Sequence, residues 1–165
     1  MRIPVCIVLL SCAVLSYSQP ASRDIERVMS EVNALRKRGC YCGREWMPPV
    51  RPVEWHSTLY EISRKYARYM YQNKYFSHIS REGRDVGDRL DEMHYRWQKV
   101  GENIGYGFDN FYSVFGAWID SPSHCRMLMD PDMTHMGLSK YYNYWVQSFA
   151  RPMEEYAHTP FISKE

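Results

Sequence analysis

Apolar residues recur with a helical period in three places along the chain. Ile25, Val28, Met29, Val32 and Leu35 share one face of a segment over 22–38, with charges opposite. Ser22 is placed as its N-cap and Gly39 as its stop. Leu59, Ile62, Tyr66, Tyr69 and Met70 form a second stripe over 58–73, headed by a Thr58/Glu61 capping box. Phe111, Val114, Phe115, Trp118 and Ile119 give the i, i+3, i+4, i+7, i+8 series of a third helix over 110–120.

The third helix does not simply end. Ser121-Pro122 reads as a new N-cap with proline at the first helical position, where its missing N–H costs nothing. A short helix follows to about Met129, stopped by Asp130-Pro131-Asp132. The remaining pattern is different. The stretch 39–55 carries three prolines and two glycines and reads as loop. Residues 76–88 are polar and glycine-punctuated, with a short helix expected over 86–93. Residues 100–107, VGENIGYG, read as a brief strand or turn where backbones approach closely. MGLSK and YWVQSFA are strand-like and predict a closing antiparallel hairpin. Helices first and a β pair last predict an α+β domain, with helices packed on a small antiparallel sheet.

Composition narrows the class. The chain has 165 residues, 45% apolar and 24% charged, which suits one globular domain with its own core. The formal charge is +2, with no block of like charges. Neither nucleic acid nor an anionic membrane is called for as a partner. Arg2 precedes an apolar run from Ile3 to Leu15, and small residues stand at Ser16 and Ser18. This predicts a secretory signal peptide over 1–18, too short to span a membrane, and an extracellular mature protein. The expected domain covers 22–152, with a loosely held tail over 153–165. No transmembrane segment is expected, and the pattern does not address oligomeric state.

Cys6 and Cys12 leave with the signal, so Cys40, Cys42 and Cys125 remain. Cys40 and Cys42 are too close in sequence to pair easily. Any bridge therefore uses Cys125 with one of them.

Three polar residues stand out by context: His78 in FSHIS, Glu102 in VGENIG and His124 at the restarted helix. Two imidazoles and a carboxylate can hold a divalent metal with one position open to water. They can equally work as an acid/base pair near neutral pH, or satisfy backbone groups in a loop-rich fold. Ser121 or Ser123 beside His124 also permits a Ser–His–Glu reading, although a serine before a proline-started helix is more often a cap.

Taken in order, RGCYCG, the helix from EW to YM, FSH, VGENIGYG, WIDSPSHCRMLMDP, HMGLS and YWVQSFA resemble the CAP superfamily, also called the SCP domain. The resemblance covers roughly 24–150 and is nearer the compact branch common in bacteria than the typical animal venom type. It implies a three-layer α-β-α sandwich around a central cavity. It also implies that His78, Glu102 and His124 are the residues that bind zinc or another divalent ion in some members. Gly39 to Gly43 match the family's glycine-cysteine element, which selects Cys42 as the partner of Cys125 and leaves Cys40 unpaired or bridging between chains. Asn33 and Arg36 match a polar pair on the first helix. The position where many relatives carry a second glutamate is Ser121, beside the cavity. The family's roles are mostly non-enzymatic: binding of lipid or sterol, defence, or interaction with another extracellular protein. A divalent-metal-dependent hydrolase or protease using His78, Glu102 and His124, and a structural matrix component, are the alternatives.

Overall fold

A computed structural model describes residues 22–153. The expected signal segment and the tail beyond Met153 lie outside the described residues.

Eleven elements follow one another among them: α1 Ser22–Arg38, β1 Cys40–Cys42, β2 Glu45–Met47, β3 Glu54–Trp55, α2 Ser57–Gln72, α3 Val86–Asp91, β4 Trp97–Tyr106, α4 Phe111–Asp120, α5 Pro122–Leu128, β5 His135–Tyr141 and β6 Tyr144–Pro152. The four-stranded sheet has the order β3-β5-β6-β4. The hairpin β5-β6 is antiparallel as expected, and β4 pairs antiparallel to β6. The departure is β3, which runs parallel to β5 for two residue pairs.

The sheet is the middle of three layers. On one side α2 and α3 bury Leu59, Ile62, Leu90, Tyr66 and Met70 with Ala150, Ile104 and Val146 of the sheet. On the other, α1, α4 and α5 bury Val32, Leu35, Trp118 and Leu128 with Met136 and Phe149. Strand β6 lies between both layers, which is why eight of its nine residues are buried. A strand covered on both faces loses the apolar/polar alternation of a half-exposed one.

Local signals placed the helices well and their caps less well. Gly39 ends α1 at φ +73°, its N–H donating to Leu35 O at 3.1 Å, the left-handed C-cap the sequence predicts. Ser22 is the first helical residue, not its cap. Helix α2 begins one residue earlier than expected. Its cap is His56, whose Nδ1 accepts from Thr58 N at 3.2 Å. Glu61 turns instead to Arg64, so the expected Thr58/Glu61 box does not form. A box does form on α3, between Asp85 and Asp88. The stretch expected as plain loop contains the β1-β2 hairpin, and the strand expected over 100–107 runs over Trp97–Tyr106.

The His56 cap makes stability depend on pH. Burial, and next the neighbouring His135 imidazole stacked at 4.9 Å, hold His56 down at about 4. A capping Nδ1 must stay unprotonated to accept. The unfolded group titrates near 6.5, so the unfolded chain takes up the proton first as pH falls. This contribution is complete above about pH 6.5 and is lost as pH drops towards 4, on the order of 1–2 kcal/mol after allowance for partial solvent access. Urea midpoints at pH 7 and 4.5 should therefore differ less in His56→Asn, whose amide oxygen caps without titrating. Equal differences in the two proteins would remove His56 from the account.

Candidate functional site around the edge of β4

Strand β4 is a sheet edge, and alternate residues of it face different layers. Glu102 lies on the α2/α3 side with Ile104. Asn103 faces the other way, donating to His124 O at 3.3 Å and to Gln147 Oε1 at 3.2 Å. The loop after α2 brings His78 to one side of this edge, and α5 brings His124 to the other. The candidate site wraps the strand.

Glu102 is the fixed point. Its side chain is 2% exposed, and it keeps both oxygens engaged. Oε1 accepts from His78 Nδ1 at 3.0 Å, and Oε2 accepts from Arg89 Nη2 at 2.5 Å. The Arg89 guanidinium also lies 3.6 Å over the Tyr66 ring and donates to Arg84 O at 3.2 Å. Tyr66 Oη in turn donates to Ser77 O at 2.7 Å, anchoring the residue before His78. Sequence reasoning missed Arg89. Its signal was available: it falls three residues after Val86 and one before Leu90, on the apolar side of a short helix.

His124 is set by the restart. Ser121 occupies the N-cap position of α5, and its carbonyl accepts from Cys125 N at 2.8 Å. Its hydroxyl does not cap. It meets His124 Nδ1 at 2.9 Å, and Ser123 Oγ at 3.4 Å. Ser121 is thus a direct partner of the histidine. Burial, and then the charge that His78 would carry nearby, push His124 below the ordinary histidine range. His124 is therefore neutral at physiological pH.

The bridge forms between Cys42 and Cys125, with Cα atoms 5.4 Å apart and a sequence separation of 83. Loop-closure entropy puts its contribution at about 4 to 5 kcal/mol. It fastens the turn carrying His124 to the hairpin after α1. Among the described residues, Cys40 is the unbridged thiol.

The polar pair on α1 is structural. Asn33 exchanges two hydrogen bonds with the backbone of Val53, donating to its carbonyl and accepting from its N–H, each 2.9 Å. Arg36 is fully buried and donates to three carbonyls on two distant segments.

The model of the cysteine-rich secretory protein family, CAP, matches residues 29–149. The chain belongs to this family. It is 32% identical over 99 residues to YlbC, described as an uncharacterized membrane protein of Bacillus subtilis, covering 60% of this chain and 29% of that one. It is 26% identical over 102 residues to YkwD of the same organism, covering 61% of this chain and 40% of that one. The chain thus spans well under half the length of these curated relatives.

Among solved structures, the fold matches an extracellular protein containing a SCP domain from Bacillus anthracis, with TM-score 0.63 and 24% identity over 81% of this chain and 45% of that one. It also matches an outer surface protein of Borrelia burgdorferi, with TM-score 0.69 and 21% identity over 80% of this chain and 95% of that one. The bacterial relatives fit the compact branch. No helix among the described residues is long and apolar enough to cross a membrane.

Proposed function

We propose that this chain is a secreted, non-enzymatic binding protein whose His78–His124 pair takes one zinc or similar divalent ion. The observation that carries this is the use of the ring nitrogens. Nδ1 of His78 is held by Glu102 and Nδ1 of His124 by Ser121, which leaves Nε2 of each ring for a cation. This is the arrangement of a ligating histidine oriented by an outer partner. In this reading Glu102 orients rather than ligates, because Arg89 and His78 already occupy its two oxygens. A bound cation would supply a Lewis acid and further sites for water or a ligand oxygen.

The same ion pair weighs against the hydrolase reading. A carboxylate held by a guanidinium is a poor general base, and no second glutamate stands at Ser121. A cavity of about 230 Å³ behind Arg89 has Ile62, Tyr66, Tyr69 and Met93 in its wall beside the charged Lys65, Glu82, Arg84 and Glu92, and its size favours a small amphipathic ligand over a whole sterol.

Zinc titration by calorimetry should give one site. His78→Ala and His124→Ala should each lose it, and Glu102→Gln and Ser121→Ala should weaken it by roughly 10- to 100-fold. Unchanged zinc affinity in both histidine variants would refute the cation site. Zinc-dependent turnover of a peptide or ester panel that disappears in both would replace the binding reading with the enzymatic one.

A further inference from the structure

The β1-β2 hairpin holds an arrangement that the cation site does not use. Residues i and i+2 of a strand share a face, so β1 turns Cys40 and Cys42 the same way and Tyr41 the other. Tyr41 is 65% exposed, while both cysteines face α5. Cys125 therefore meets two thiol-bearing positions. It is bonded to Cys42, and its sulfur lies 3.6 Å from Cys40 Sγ. All three sulfurs fall within 4.8 Å of one another, and among the described residues this is the one set of three or more His, Cys, Asp or Glu ligand atoms that converges so closely; His78, Glu102 and His124 do not.

The geometry points to an intramolecular thiol–disulfide exchange site, in which the bridge to Cys125 moves between Cys42 and Cys40. The Cys40 thiolate attacks Cys125 Sγ, the Cys40–Cys125 bond forms, and the Cys42–Cys125 bond breaks. Cys42 leaves as thiolate and takes up the proton that Cys40 gave up. Among these three cysteines one disulfide and one thiol are present before and after, so no oxidant or reductant is consumed. Attack along the S–S axis asks Cys40 to swing out from its bent placement. Cys40 is only partly covered, and it follows Gly39, whose φ of +73° already marks the end of α1.

Two consequences follow. Cys125 stays bridged in both forms, so the turn carrying His124 remains fastened to the hairpin throughout. The thiol presented by the chain changes, from the partly exposed Cys40 to the buried Cys42. The reactive surface thiol is thereby hidden in one of the two forms. Burial holds the Cys40 thiol above its ordinary range, with Arg38 opposing. Exchange therefore quickens as pH rises towards that value, by about tenfold per unit, because the thiolate is the nucleophile.

The full chain, oxidised and free of added thiol, is incubated between about pH 7 and 9.5 and quenched in acid. It is unfolded in guanidinium while still mildly acidic, so that a buried thiol is also reached, labelled there with N-ethylmaleimide, and digested with chymotrypsin, which cuts after Tyr41 and separates the two cysteines. Label is expected on both Cys40 and Cys42, with peptides bridged from Cys42 and from Cys40 to Cys125. The approach to the mixture should be independent of protein concentration and steeply faster at high pH. Cys42→Ser should form the Cys40–Cys125 bridge, and Cys40→Ser should hold a single isomer. Label confined to Cys40 at every pH overturns the proposal, and so does a rate proportional to protein concentration. If Cys42→Ser does not fold, the labelling of the unaltered chain decides alone.

Discussion

Gly137→Ala is expected to cost about 3 kcal/mol or more and to lower the melting temperature by at least about 10 °C. Gly137 lies in β5 where helix α2 crosses the sheet. A Cβ there would fall inside the van der Waals radii of the Leu59 carbonyl carbon and the Tyr60 nitrogen. Those atoms are backbone in the first turn of a helix, so they cannot rotate away as a side chain would. Beside it, Ser63 Oγ donates to Gly137 O at 3.4 Å and meets Ser148 Oγ at 2.9 Å, which holds helix and sheet in this register. Relief requires α2 to lift from β5 and β6, which opens the layer that holds Leu59, Ile62 and Ala150. Gly116→Ala is the control. It lies in α4 with open space around it, and alanine there should stabilise by up to about 1 kcal/mol. Paired thermal melts decide the matter. A Gly137→Ala protein melting within about 2 °C of the parent would refute the close approach.

Arg36→Ala should be comparably severe, at about 3–5 kcal/mol. The guanidinium donates from Nε to Arg51 O at 2.8 Å, from Nη1 to Leu128 O at 2.6 Å and from Nη2 to Met133 O at 3.1 Å. One side chain of α1 thus ties the loop before β3 to the last residue of α5 and to the turn that leads into β5. Removing it strands three carbonyls in a dry interior and leaves a large cavity. Burial lowers Arg36 to about 10 against the pull of Asp130, so the charge persists at neutral pH. Arg36→Lys should recover only part of the loss, since an ammonium is a point charge and cannot make the three-way fork. Denaturant midpoints would show it. Full rescue by lysine would mean that charge, not geometry, carries the effect.

Both residues show how much of the fold could be read in advance. Arg36 was visible only through resemblance. By pattern alone it is one more charge near the end of an amphipathic helix, beside Lys37 and Arg38. Its three carbonyl partners come from segments that meet only after folding. Gly137 was legible as part of a strand, but not as the point where a helix backbone touches the sheet. Two glycines of VGENIGYG, read as places of close backbone approach, instead accommodate side chains, Met127 over Gly101 and Val114 over Gly105, while Gly107 sits in open space at φ +89°. The helices themselves were plain, because a 3.6-residue apolar period is a local property and survives any tertiary arrangement. Their caps were less so. A serine, a threonine and a histidine can all accept from a helix N-terminus, and the choice at α2 fell to His56 because packing seats its ring against Tyr95 and His135.

By itself, the sequence determined the helices, the closing hairpin and the restart at Ser121-Pro122, and its ordered motifs implied the family and the Cys42–Cys125 bridge. These follow from periodicity, from proline and glycine stereochemistry, and from motif order. The tertiary structure alone decided what the polar residues do. It placed Glu102 and Asn103 on opposite faces of an edge strand, so that His78 and His124 approach from different layers. It set Arg89 against Glu102 and turned the Ser121 hydroxyl from a cap to His124. It also brought Cys40 within reach of the bridge. Each of these pairings joins residues by direction as well as distance, and direction is fixed only once the layers have packed.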